Sequence, residues 1–447
     1  MLEHIQQLAL MNALLMNWDG IRLRMEPLSP AAADRLAELA RQLEYASSVD
    51  DLARVIDDLL DFTSETPAGP YIRELMARSN LGSRATGLRS VVAAQAPEEA
   101  AETPDLASQT AADLARAVTP TDVGFQSVPV FFATNRKLRS GTMEFLGDPA
   151  EQLSFGLASV TIPSSTKHKV GHLETPHWWT PFPKQQLERR FITIAEVEAF
   201  QRGEFLTRVG SAATSNGISS DARELLVFLH GYNVTFEEAA RRAAQFAFDV
   251  SFPGIVILFS WPSMGGLIHY AADEERAWAS ADRFVEFLGS LAGGPWPRVH
   301  LVAHSMGNRV MLLGLADNAR PAVAIGQLVF VAADVYVDLF ESKWRKLQSA
   351  GGLPATSYIS RRDWALRISH FLHRASRIGF LDKAPYVASQ MDTVDASWVD
   401  TSFLGHGYFA SERSLLTDLG LLVRRGLSPA DRGLQSDPAR KYWVFPR

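Results

Sequence analysis

Ser305 stands in Ala303-His304-Ser305-Met306-Gly307, directly after the apolar run VHLVAH (Val299 to His304) and directly before a helical pattern carried by Val310, Leu313 and Gly314. A serine hydroxyl is a weak nucleophile at neutral pH unless the backbone presents it and a base removes its proton. Small residues two before and two after it permit a sharp strand-to-helix turn that lifts the hydroxyl clear. The helix start then supplies N–H groups and a dipole that favour developing negative charge. The context predicts acyl transfer at Ser305, with an alanine where the first small residue is more often glycine; the bland alternative is a strand-ending turn. His304 is the chain neighbour of the serine, and neighbours at such a turn point apart.

A second short motif, His230-Gly231-Tyr232-Asn233, closes another apolar run, LLVFLH (Leu225 to His230). Gly231 allows a close approach of backbone to substrate, so the N–H groups of Tyr232 and Met306 are the expected donors to a carbonyl oxygen as it becomes an oxyanion. The base must be a histidine and a carboxylate must orient it, and for a serine presented this way the chain order is serine, acid, histidine. His370 and His373 fall in the basic, helical-looking LRISHFLHRASR. His406 lies between Gly405 and Gly407 in a loop able to carry a ring into a site, and is the expected base. Asp363, separated by two residues from a strand candidate TSYIS (Thr356 to Ser360), is the expected acid. Asp334, at the end of QLVFVAA (Gln327 to Ala333), is the alternative, and Asp338, Asp395 and Asp400 read as caps or solvated loop residues.

These residues need a scaffold, and the hydrophobic pattern describes one. From Val128 the chain reads as strands, VPVFFAT and FGLASVTIP; then LLVFLH, IVILFS (Ile255 to Ser260), VHLVAH, QLVFVAA and TSYIS alternate with helical segments. Strand and helix alternating in this way predict a mostly parallel sheet with helices on both faces, and such sheets place their sites at the carboxyl ends of the strands. The Trp261-Pro262-Ser263-Met264 loop follows one strand end. Gly231, Asn233, Trp261, Met264 and Tyr270 are candidate pocket residues, the rival reading of the loop's apolar side chains being ordinary packing; His177-Trp178-Trp179, in a Pro-rich insertion, is a candidate lid.

Taken together, FFATNR (Phe131 to Arg136), FLHGYN (Phe228 to Asn233), FSWPS (Phe259 to Ser263), YAAD (Tyr270 to Asp273), AHSMGNR (Ala303 to Arg309) and LGHGYF (Leu404 to Phe409) resemble the bacterial α/β-hydrolases grouped as a family of unknown function, over residues 125–425. The resemblance implies the α/β-hydrolase fold, the nucleophile and base roles of Ser305 and His406, and by position the acid role of Asp363. It implies no substrate.

Around that core, the 447 residues are 47% hydrophobic and 21% charged with a net charge of −6, so no basic field gathers nucleic acid. There is no cysteine, which excludes disulfides, thiolate metal sites and a thiol nucleophile. Neither a metal nor a cofactor is expected. No apolar run approaches the roughly 20 residues of a membrane span. The N-terminal MLEHIQQLALMNALLMNWDG reads as an amphipathic helix without a basic leader or cleavage site, which suggests a cytoplasmic protein, with export the alternative. Residues 1–93 read as a helical region: Leu36, Leu39, Ala40 and Leu43 share one face after Ser29-Pro30, and Leu52, Val55, Ile56, Leu59 and Leu60 share another. Residues 94–124, rich in Ala, Glu, Pro and Thr, read as a linker, and 125–447 as the catalytic domain. The helices offer a surface for a homo-oligomer.

The expected function is hydrolysis of a carboxylic ester, on a small or lipid-like acyl substrate, through an acyl-serine intermediate. Amidase, thioesterase or acyltransferase activity with the same triad is the alternative, as is a non-catalytic interaction protein on this fold.

Overall fold

The computed structural model describes residues 25, 29–45, 49–63, 66, 68–69, 72, 124–164, 167–175, 184–215, 223–264, 270–319, 322–361, 376–380, 385–397, 412–437 and 441–446. The chain divides into two compact units, Met1–Ser108 and Gln109–Arg447.

In the first unit, α1 (Pro30–Tyr45) and α2 (Val49–Thr63) pack as a pair. Ser29 caps α1, its Oγ accepting from the Ala32 N–H at 3.2 Å. The apolar faces meet through Leu36, Leu39, Val55, Ile56 and Leu59, all buried.

Among the described residues, the second unit is built on one 11-stranded sheet. Its strands are β1 (Phe125–Leu138), β2 (Phe145–Pro163), β3 (Thr193–Phe200), β4 (Leu225–Leu229), β5 (Ile255–Ser260), β6 (Val299–His304), β7 (Ile325–Val331), β8 (Ala355–Ile359), β9 (Asp392–Asp395), β10 (Gln435–Asp437) and β11 (Tyr442–Val444). Their order across the sheet is β10-β11-β9-β8-β7-β6-β4-β5-β1-β2-β3. From β1 to β11 the interior pairs are parallel; β2, β3 and β10 join antiparallel at the two sides. The long β1–β2 hairpin, with β3 added to it, forms one side of the sheet.

Both faces of the parallel strands are covered, which is why they read as continuous apolar runs rather than alternating ones. On β4, Leu225, Val227 and Leu229 enter one core, and Leu226 and Phe228 the other. The first core is completed by α4 (Arg202–Ser215), α6 (Tyr270–Ser290), α7 (Gly307–Asp317) and α8 (Val337–Ser349), through Phe205, Phe284, Met311 and Trp344. The second is completed by α5 (Phe236–Asp249) and α9 (Glu412–Arg425), through Phe246 and Leu419; the short α3 (Lys184–Glu188) lies before β3. Thr235 and Glu238 form the reciprocal cap that starts α5 immediately after the HGYN loop.

The chain runs from β4 to β5 on one side and then crosses to β6 on the other side of β4. The crevice outside the carboxyl ends of β4 and β6 is therefore the topological switch point, where open α/β sheets bind ligands.

Among the described residues, no helix is long and apolar enough to cross a membrane.

Candidate active site

Ser305 occupies that switch point. It directly follows β6, with Met306 between it and α7, and its φ is +50°, a left-handed conformation that non-glycine residues seldom adopt. Such a residue costs on the order of 1–3 kcal/mol and persists only where its surroundings dictate it. Here they do: the Ser305 N–H donates to Val331 O at 3.0 Å, and the Ser305 carbonyl accepts from the Asp334 N–H at 3.2 Å and from Asn308 Nδ2 at 2.9 Å. Asn308 Nδ2 also reaches Val331 O at 3.2 Å, tying the turn to the end of β7. The smallness of Gly307 has a direct reason, since a β-carbon there would lie 2.4 Å from the His230 carbonyl oxygen. Ala303 is fully buried in the core beneath the turn, so its methyl is accommodated.

The loop after β4 lies against this turn. A β-carbon on Gly231 would sit 3.0 Å from His304 Nδ1 and 3.1 Å from Ser305 Cβ. Asn233 also takes a left-handed conformation, φ +58°, which bends the loop toward α5. Among the described residues no group accepts from the N–H of Met306, which sits at the positive end of α7. Tyr232 is half-buried and meets the ring of Tyr270 edge to face at 5.4 Å.

Behind the loop is a buried polar frame. Arg136, at the carboxyl end of β1 and 1% exposed, sends its guanidinium to Val234 O at 2.7 Å, Ser263 O at 3.0 Å and Ser260 Oγ at 2.8 Å, with His230 Nε2 at 3.3 Å. A guanidinium only donates, so His230 Nε2 is the acceptor and Nδ1 carries the proton, donating to Gly231 O at 2.7 Å. Burial and, after it, the charge of Arg136 push the His230 pKa down to about 3, which keeps the ring neutral.

Trp261 stacks on His230, centroids 5.1 Å apart, and its indole N–H donates to His230 O at 2.8 Å. Asp273, in the first turn of α6, accepts from Ser263 Oγ at 2.5 Å, Met264 N–H at 2.9 Å and Asn233 N–H at 3.4 Å. One carboxylate thus joins the loops after β4 and β5. Trp261 is completely buried, and Met264 is exposed.

Asp334 follows β7 and is 2% exposed. Its carboxylate accepts from the Tyr270 hydroxyl at 2.5 Å and lies 3.2 Å from Arg377 Nε and 4.0 Å from Arg309 NH2. Arg309 Nε donates to Asp334 O at 2.7 Å, while its NH1 pairs with Glu274. Burial and the Asp334 charge push the Tyr270 pKa well above 10, so its hydroxyl remains a donor. Asp334 is a carboxylate already committed to a tyrosine and two arginines.

Asp363 and His406 lie outside the described residues, as do His370, His373, Asp400 and His177-Trp178-Trp179. β8 and β9 run parallel to β6 and β7, so both leave the sheet at its Ser305 edge: β8 ends four residues before Asp363, and β9 precedes the stretch that holds His406. Asp395 accepts from the Ser397 N–H at 2.8 Å within its own turn, and Asp338 is exposed in the first turn of α8. The expectations assigned no role to Arg136, Asp273, Glu274, Arg309 or Arg377. Arg136, Asp273 and Arg309 close three of the quoted motifs, and that was the available signal.

No curated protein matches the chain. A family model described as alpha/beta hydrolase of unknown function (DUF900) matches residues 184–425, more than half of the chain, starting later than the motifs suggested and leaving FFATNR outside it. With a mostly parallel sheet, helices on both faces and the Ser305 turn at the switch point, this chain belongs to that family of alpha/beta hydrolases.

Proposed function

We propose that the protein is a serine hydrolase that cleaves carboxylic esters, with Ser305 as nucleophile, His406 as general base and Asp363 as the acid that orients it. The observation that carries this reading is the backbone of Ser305, φ +50° between β6 and α7 with the Gly231 loop pressed against it. A structural turn would relax such strain by using glycine; a serine held there is presented for chemistry.

In this reading His406 takes the proton as Ser305 Oγ attacks the ester carbonyl carbon. The carbonyl electron pair moves onto oxygen, and the N–H groups of Met306 and Tyr232 receive the oxyanion. Collapse expels the alcohol, which leaves with the proton from His406 and yields an acyl-serine. Water, deprotonated by His406, attacks the acyl carbon; the carboxylic acid departs and Ser305 recovers its proton. Asp363 holds the imidazole in the tautomer that accepts from serine and stabilises the imidazolium formed. The supporting framework is the Arg136–His230–Asp273 set, which fixes the loop bearing Gly231 and Tyr232 before substrate arrives.

A fluorophosphonate probe tests the assignment. Wild-type protein should form a covalent adduct, Ser305→Ala should form none, and aliphatic esters should be turned over faster than matched amides and thioesters. An equal adduct on Ser305→Ala, or none on wild type, overturns it.

A further inference from the structure

The segment Ser376–Phe380 crosses the carboxyl edge of the sheet beside Ser305. Its backbone is stitched to the chain leaving β7 by Ile378 N–H to Val335 O at 3.1 Å, Gly379 N–H to Ala333 O at 3.1 Å and Val337 N–H to Ser376 O at 3.1 Å; Ser360 N–H donates to Gly379 O at 3.1 Å. These bonds hold Arg377 next to Asp334, whose own N–H donates to Ser305 O. A single residue therefore separates Arg377 from the backbone of the serine.

The Arg377 side chain is completely buried, its Cζ 3.5 Å from the centre of the Tyr336 ring. Nε is near Asp334 Oδ1 without hydrogen-bond alignment, and among the described residues none of the three guanidinium nitrogens has a hydrogen-bond partner. Asp334 does not satisfy them: Oδ1 comes no nearer than 3.2 Å to Nε, out of alignment, and its Oδ2 takes the Tyr270 hydroxyl. Arginine carries five N–H donors in a planar fork that matches a carboxylate through two parallel bonds. Burying that fork with no aligned acceptor is far costlier than burying a neutral amide, and in native proteins an orphaned buried group of this kind calls for an explanation.

We propose that Arg377 receives a carboxylate on the substrate, so that the enzyme acts on esters whose acyl chain ends in a carboxylate, the half-esters of dicarboxylic acids. This rests on the reading of Ser305 as the nucleophile. The incoming carboxylate occupies the NH1 and NH2 positions that Asp334 leaves, the aromatic face of Tyr336 holds the guanidinium from one side, and the reacting ester group lies at Ser305. Specificity follows from the same logic: a neutral acyl chain leaves the buried donors unpaired, whereas the half-ester completes them.

The test compares methyl hexanoate with monomethyl adipate, which share an acyl length and differ in the terminal carboxylate. Wild-type protein should favour the half-ester by at least about tenfold in kcat/KM, the ratio should fall toward unity in Arg377→Met, and Arg377→Lys should retain part of it. Adipate should compete with methyl hexanoate and raise the thermal midpoint of wild-type protein, and do neither in Arg377→Met. Equal kcat/KM for the two esters in wild type, or an unchanged ratio in Arg377→Met, overturns the inference. If Arg377→Met does not fold, Arg377→Lys and adipate competition in wild type decide it. Absence of any fluorophosphonate adduct sinks the nucleophile reading instead, and the effect of adipate on the wild-type midpoint then still decides whether the anion site exists.

Discussion

Gly231 lies so close to Ser305 that a β-carbon built on the glycine would stand 3.1 Å from the serine's own and 3.0 Å from His304 Nδ1. Two loops from neighbouring parallel strands thus meet at the switch point with no room for a methyl group between them. The geometry of one loop sets the position of the other.

Gly231→Ala should therefore cost activity before it costs folding. The added methyl must push the loop from the Ser305 turn by a few tenths of an ångström, enough to misplace the Tyr232 donor, and kcat should fall about 10²-fold. Ester turnover measured beside the thermal midpoint checks this. A variant with full kcat would show that the loop's closeness to Ser305 has no part in catalysis.

The two candidate acids should fail in different ways. Asp363→Asn should lower kcat by about 10⁴-fold at neutral pH through the wrong histidine tautomer, leaving the fold intact. Asp334→Asn removes the charge between Arg309 and Arg377 and should destabilise the protein by about 3–5 kcal/mol, since breaking a buried pair leaves its partners uncompensated. Urea denaturation and kcat on both variants separate the roles; Asp334→Asn that folds normally yet loses all activity would reverse the assignment.

Arg136→Lys should be poorly tolerated despite keeping the charge. A single ammonium cannot reach Val234 O, Ser263 O and Ser260 Oγ together, and losing even two charge-assisted bonds costs about 3 kcal/mol or more. The same variant should slacken the HGYN loop and lower kcat. Unfolding free energy and turnover, measured together, test both parts.

His168 supplies a pH dependence far from Ser305. Its Nδ1 lies 2.8 Å from Glu174 and its Nε2 2.8 Å from Asp249, pinning the connection between β2 and β3 to the end of α5. Burial opposes the charged ring, but the bonds to Asp249 and Glu174 outweigh it and push the pKa up to about 9. Below the ordinary value of 6.5 the ring is protonated both folded and unfolded, and the stabilisation is complete. Between 6.5 and 9 only the folded ring keeps its proton, so stability falls as pH rises and the contribution is gone above about 9. The upper bound is about 3 kcal/mol. Unfolding at pH 6.5 and 9.5 should show this loss in wild type and not in His168→Gln; parallel profiles for the two proteins would remove His168 as its source.

The α/β class was legible in the sequence because buried parallel strands and the helices between them leave strong local patterns: LLVFLH, IVILFS and VHLVAH became β4, β5 and β6 almost residue for residue. Ser305 was legible for a related reason. A strand, a tight turn and a helix are encoded within about a dozen consecutive residues, and the turn's demand for small neighbours is local too.

The roles of the polar motif residues were not legible. Arg136 lies 94 positions from His230, and Asp273 40 from Asn233, so nothing nearby in the chain indicates that these side chains share hydrogen bonds. Trp261 read equally well as pocket or packing, and its stacking on His230, 31 positions away, left no local sign. Local periodicity records which face of an element is buried, and by itself it determined the fold class and the strand-turn-helix that carries Ser305. Long-range pairing of buried charges depends on sheet order, and only the tertiary structure decided that Asp334 serves two arginines and a tyrosine, and that Arg377 keeps its donors unspent.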